Sequence, residues 1–184
     1  MIKYLKNLEK PGRIITDKDF PAYTFVPGLA AHPERDPGGH SYNKTNSDSI
    51  MYSDTNWQSS DAYKFGFDLF NFGYYWEAHE SWEKIWQLLK TNHNINHYLK
   101  GLIKISAAGV KVLQKNIVGY DNHMTKAAKH FKELSQLHGE KTRDRFYYSE
   151  LYKFTQEQIA RKNLLIRKDF EPPDNVFGVA IYPK

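Results

Sequence analysis

Residues 74–86, YYWEAHESWEKIW, place three carboxylates (Glu77, Glu80, Glu83), one imidazole (His79) and five aromatic side chains within thirteen positions. Histidine titrates near pH 6.5, so an imidazole beside a carboxylate can take up or release a proton at neutral pH. The same groups one helical turn apart also suit iron, manganese or zinc in helical bundles, where ligands project inward from several helices. A helix turns about 100° per residue, which puts Ala78, Trp82, Ile85, Trp86 and Leu89 on one core-facing stripe. His79 and Glu83 then stack along one edge of that stripe beside Trp86, as a partly buried pair. Glu80 lies further round and more exposed, and Glu77 falls roughly opposite His79. Glu77 is therefore expected to tolerate truncation within about 0.5 kcal/mol unless it contacts another segment. HESWE differs from the zinc-protease pattern HExxH by carrying Glu83 where the second histidine stands, which argues against that chemistry. A structural alternative is that Glu83 merely holds His79 in a hydrogen bond under the tryptophans.

A second polar group lies upstream. In FVPGLAAHPERDPGGHSYN, residues 25–43, His32 and His40 sit eight positions apart in a turn-rich loop with Ser41 and Tyr42 beside them. This loop can close over the helix and complete a pocket. The candidate catalytic groups are His79, Glu80, Glu83 and His40, and the candidate ligand contacts are His32, Ser41, Trp76, Trp86, Lys104 and Lys111. His79 and Glu83 are the candidate ligands for a divalent metal, the one cofactor the residues suggest. No activated nucleophile is evident, since cysteine is absent and Ser41 sits in no recognised elbow.

These groups must be positioned by helices. Asp61 can cap a helix to about Phe72 that buries Phe65 and Leu69, with Gly73 closing it. The helix of the central motif follows, from about Tyr75 to Lys90. After a polar break that Asn96 can cap, HYLKGLIKISAAGVKVLQ is apolar almost all round, with Gly101, Ser106, Ala107, Ala108 and Gly109 allowing close helix approach. Lys104 and Lys111 interrupt that apolar run, and one of them is expected to face a carboxylate of the central motif. Asn116 can cap a fourth helix to about Leu137 with Gly139 past its end, and a fifth is expected from roughly Ser149 to Ile166. The expected fold is all-α: a bundle of four to five antiparallel helices with a long, mostly irregular N-terminal arm packed on it.

The chain of 184 residues reads as one domain, with an arm over 1–60, a bundle over 61–167 and an extended tail over 168–184. Prolines and glycines break every periodic run in the arm, yet Phe20, Tyr23, Phe25, Val26 and Leu29 need somewhere to pack. No apolar run is long enough to span a membrane and no signal-peptide core is present, so a cytoplasmic protein is expected. Residues 98–168 hold 15 basic and 6 acidic side chains, a local excess of +9 that can attract anions or nucleic acid. The plainer explanation of that excess is a solvated outer helix face.

The runs GYYWEAHESWEKIW and LKGLIKISAAGVKVLQKN, with the upstream FVPG, HP and DPGGHS segments, carry a resemblance. Over about residues 20–137 the chain resembles the helical family catalogued as domain of unknown function 309, in which an EAHE-containing helix pairs with a GLI-plus-alanine helix. The resemblance implies an all-helical fold and implicates Glu77, His79, Glu80, Glu83, His32 and His40. It implies no activity. Three functions fit these residues. The first is a hydrolase-type acid–base or metal-assisted enzyme acting on a small molecule. The second is a binding protein for an anionic ligand or nucleic acid, using the basic segment and the 13 tyrosines. The third is a structural or interaction protein whose His–Glu cluster only fixes packing. The absence of a recognised motif argues against specific nucleic-acid recognition, and the sequence allows a homo-oligomer.

Overall fold

The computed structural model of the chain describes residues 1–6, 9–43, 52–137 and 143–184, to which everything below refers. In chain order the elements are β1 (Ile2–Tyr4), a single 3-10 turn (Trp57–Ser59), α1 (Asp61–Asn71), α2 (Tyr75–Leu89), α3 (His93–Leu113), α4 (Ile117–Leu137), α5 (Arg143–Ala160), α6 (Lys162–Arg167) and β2 (Val179–Ile181). The expected architecture is the one observed: antiparallel helices, each from α2 to α5 packed on the helix before it, with an irregular N-terminal arm against them. The one sheet among the described residues is the short antiparallel pair β1–β2, which joins the two ends of the chain.

Capping chemistry sets the helix starts. Ser60, one residue before the expected cap Asp61, accepts the Tyr63 N–H, and Asn92 rather than Asn96 accepts the Ile95 N–H to begin α3. Asn96 is used elsewhere, accepting the Trp86 Nε1–H at 2.7 Å. Asn116 accepts the Gly119 N–H as the sequence suggests. The fifth expected helix, Ser149 to Ile166, is instead two helices: α5 begins at Arg143, and the backbone breaks at Arg161 before α6. The charged opening of α5 carries no apolar stripe to announce it, and Arg161 is neither Gly nor Pro. Gly139 lies outside the described residues.

Helix α3 occupies the centre. Leu99, Leu102, Ile105, Ala108 and Val112 are buried, and its glycines receive aromatic rings from both sides. A Cβ on Gly101 would stand 2.4 Å from Phe131 of α4, and one on Gly109 would stand 2.5 Å from Tyr75 of α2. On α2 the stripe Ala78, Trp82, Ile85 and Leu89 is buried as the helical spacing predicts, with Trp86 half-buried. Six tyrosines, Tyr63, Tyr75, Tyr98, Tyr120, Tyr147 and Tyr148, are core residues. Hydroxyl contacts link Tyr63 to Tyr98 (2.8 Å) and Tyr98 to Tyr147 (3.3 Å), and Tyr147 donates to the Tyr182 carbonyl. These rings serve the interior, where each hydroxyl needs a partner, so they do not form a surface for stacking bases.

The arm is held by carboxylates from the bundle. An irregular segment leaves backbone N–H groups without ladder partners, and each needs an acceptor once buried. Asp68 of α1, fully buried, accepts the N–H groups of Ile14 and Ile15 at 2.8 Å each. Glu77 of α2 does the same further along. Phe20 stacks with Tyr74 and Phe65, and Phe25 and Val26 enter the interior, whereas Leu29, expected to pack, is 67% exposed. The tail packs too: Val176, Phe177, Val179, Ala180 and Ile181 are buried, and Asn71 clamps Ile181 through both its N–H and its carbonyl.

Candidate active site

Glu77 is the point where arm and bundle meet. It sits on the first turn of α2 with its side chain 8% exposed, the most buried carboxylate of that helix. Another segment does contact it, so the tolerance expected of a free outer position does not apply. The wheel places Glu77 off the bundle core correctly, but the arm covers that face. Its Oε1 accepts the Phe25 N–H at 2.8 Å and its Oε2 accepts the Thr24 hydroxyl at 2.8 Å. His40 Nε2 lies 3.3 Å from Oε1. Burial pushes the Glu77 carboxyl above its ordinary value, and the donors from Phe25, Thr24 and His40 pull it part of the way back.

The loop makes His40 reach Glu77. A Cβ on Gly39 would lie 2.2 Å from the Pro33 carbonyl oxygen, so a residue without a side chain is needed directly before His40. The Ser41 N–H bonds the same Pro33 carbonyl at 3.0 Å and closes the loop. Tyr23 packs its ring edge-on to His40 and anchors its own hydroxyl on the Ala31 carbonyl. The second ring nitrogen of His40, Nδ1, is 3.0 Å from Ser41 Oγ. With a proton on Nε2 directed at Glu77, Nδ1 is left as an acceptor for the Ser41 hydroxyl. A serine, an imidazole and a buried carboxylate thus stand in line, although the ring nitrogens are used in the reverse sense to the serine-protease arrangement.

The central motif contributes the facing group. His79 Nδ1 lies 3.3 Å from Glu80 Oε1 and 3.9 Å from Glu83 Oε2, so the hydrogen-bonded partner is Glu80, with Glu83 in ion-pair range. The expected ranking of the two carboxylates is not observed, for Glu80 and Glu83 are exposed alike, at 36% and 33%. The His79 hydrogen bond holds the Glu80 carboxyl below its usual range. Trp76 stacks on the His79 ring. One donor atom from each of His79, Glu80 and Glu83 fits within 4.8 Å of the others, a spacing able to hold a cation.

An open cleft of about 1880 Å³ runs between arm and α2 and brings these groups together. His32, His40, Ser41, Trp76, Glu77, His79, Glu80 and Glu83 all line it. His32 is spent on its own turn, where Nδ1 accepts the N–H groups of Glu34 and Arg35 and the ring packs on Phe25. Trp86, Lys104 and Lys111 lie outside the lining. Trp86 bonds Asn96 and receives Lys90 and Lys100 over its ring. Lys111 bonds Gln114, which in turn donates to the Pro27 carbonyl. Burial, with the Lys126 ammonium beside it, pushes the Lys104 ammonium below its ordinary value, and no ion pair joins it to Glu83 among the described residues.

Thr24, the Phe25 amide, Tyr23 and Glu77 are the functional groups that helical spacing alone does not single out. Their signal is long-range, since the segment around Thr24 is 53 residues from Glu77 in sequence. His123 on α4 stands outside the cleft lining. Burial, followed by the ammonium groups of Lys104, Lys111 and Lys126, pushes it down to about 4, and its buried Nδ1 has no hydrogen-bond partner among the described residues.

Residues 63–122 match the family described as Domain of unknown function (DUF309). The match covers most of α1, all of α2 and α3 and the start of α4, and supports the resemblance read from the EAHE and GLI motifs. No curated protein and no solved structure matches the chain.

Proposed function

We propose that the cleft is the active site of a hydrolase-type enzyme acting on an acyl ester of a small molecule, with Ser41 as nucleophile and His40 as its base. The observation that carries this reading is the continuous chain Ser41 Oγ, His40 Nδ1, His40 Nε2, Glu77 Oε1, with contacts of 3.0 and 3.3 Å. Ser41 Oγ attacks the carbonyl carbon as its proton passes to His40 Nδ1, and the imidazolium is stabilised by the Glu77 carboxylate. His40 then gives that proton to the leaving oxygen. Water, deprotonated by the same nitrogen, cleaves the acyl-serine and restores both groups. Thr24 and the Phe25 amide position Glu77 and do not touch substrate. Phe20, Phe25 and Trp76 supply apolar wall, and Lys18, Arg35 and Lys84 supply positive charge along the same lining.

A second reading is favoured by the spacing of His79, Glu80 and Glu83: a divalent metal there would polarise the substrate carbonyl. Hydrolysis of short p-nitrophenyl esters separates the readings. Ser41→Ala and His40→Ala are expected to lower the rate by on the order of 10²–10⁴-fold, with folding intact. If Ser41→Ala keeps full activity while His79→Ala loses it together with a bound metal, the metal reading replaces the serine one.

A further inference from the structure

We infer a divalent transition-metal site at the end of the bundle where α3 begins and α4 ends, built from His93, His97 and Glu133 with His130 beside them. None of these residues lines the cleft. His93 and His97 are four residues apart on the first two turns of α3, so they share a face, and their rings stack with centroids 4.4 Å apart. Glu133 reaches across from α4 and places one oxygen on each ring, with Oε1 3.2 Å from His93 Nε2 and Oε2 3.3 Å from His97 Nδ1. His130, three residues before Glu133 on the same face, sets its Nδ1 3.3 Å from His97 Nδ1 with the two rings nearly perpendicular.

A plain ion pair would need one imidazole, whereas here one carboxylate gathers two and a third stands against them. One donor atom each from His93, His97 and Glu133 lies within 4.8 Å of the others. In a tetrahedral zinc site with bonds of about 2.1 Å, neighbouring ligand atoms stand roughly 3.4 Å apart. The two carboxylate–imidazole contacts are close to that length, one through each Glu133 oxygen. Imidazoles plus a single carboxylate, with no thiolate, select ions such as Zn²⁺, Co²⁺, Ni²⁺ or Cu²⁺ over Ca²⁺ and Mg²⁺, which take oxygen ligands. Ligands spaced by three and four residues on two packed helices are how helical bundles assemble such sites. The His93 side chain is 58% exposed, so the ion loads from solvent and keeps an open position for water. Bound there, it ties the start of α3 to the end of α4.

The test titrates Zn²⁺ into the untagged, chelator-stripped full chain against a chromophoric chelator, with thermal melts in parallel. The inference expects one zinc equivalent whose affinity falls at least ten-fold in His97→Ala and in Glu133→Gln. His79→Ala and Glu83→Gln should leave that equivalent in place. Zinc should raise the melting temperature of the parent protein and not of His93→Gln, a change at an exposed position that spares the fold. Ester hydrolysis in His93→Gln should match the parent, which separates this site from the cleft. Unchanged zinc affinity in His93→Gln and His97→Ala, no zinc binding by the parent, or equal competition by Ca²⁺ would each overturn it.

Discussion

Glu77 shows how a single carboxylate can unite two segments. Truncating it orphans the Phe25 N–H and the Thr24 hydroxyl in a buried place, so Glu77→Ala should cost about 1–3 kcal/mol in a denaturant melt. Glu83→Ala, on a side chain one-third exposed, should stay within about 0.5 kcal/mol. The pH dependence has a definite sign. The Glu77 carboxyl is raised in the folded protein, so its protonated form is the one that folding favours. Its contribution is fully present below the ordinary value of 4.5 and is lost as pH rises through the higher folded value. The stability of the parent relative to Glu77→Gln should therefore decline with rising pH across that window, and parallel melts from pH 4 upward measure it. Much at this scale was legible in the sequence. Helical spacing alone set the buried stripe of α2 and the nearness of His79 to Glu83, but it placed Glu80, the carboxylate that hydrogen-bonds His79, further round. It missed Glu77, because a helical wheel describes one helix and knows nothing of a cover that arrives from 53 residues away.

At the scale of elements, the helices were readable because apolar periodicity is a local signal, whereas the expected caps Asp61 and Asn96 gave way to Ser60 and Asn92. The break between α5 and α6 was not readable, since no Gly or Pro marks Arg161. The small residues of α3 carried real information about approach distance. Gly101→Ala would press a methyl into the Phe131 ring, where an added Cβ stands at 2.4 Å, and should destabilise by about 1–3 kcal/mol in thermal or denaturant unfolding. The arm was legible as something that must pack, from its aromatic residues, but its fastening was not. Asp68 and Glu77 do that work by accepting backbone N–H groups, which no residue pattern in the arm itself reveals. Asp68→Ala should release the arm's first stretch, seen as faster proteolysis near Ile14 and Ile15 while the helical signal in circular dichroism is kept.

For the whole molecule, the uneven charge and the many tyrosines part company. Lys126, Lys129, Lys132 and Lys153 lie exposed on α4 and α5, whereas six of the tyrosines that might have stacked bases are spent in the core. Nucleic-acid binding should accordingly be weak, indifferent to sequence and steeply reduced by salt, as a titration at two ionic strengths would show. The arm and α2 together produce the cleft, and neither alone contains the serine, the imidazole and the carboxylate. In the function we propose, these three act as one unit. Treating the full chain with a fluorophosphonate probe and mapping the adduct by peptide mass spectrometry tests it most directly. The adduct should fall on Ser41 and should be lost in His40→Ala, with circular dichroism expected to show its fold intact. Absence of any adduct on Ser41 in the parent protein, or labelling undiminished in His40→Ala, would contradict it.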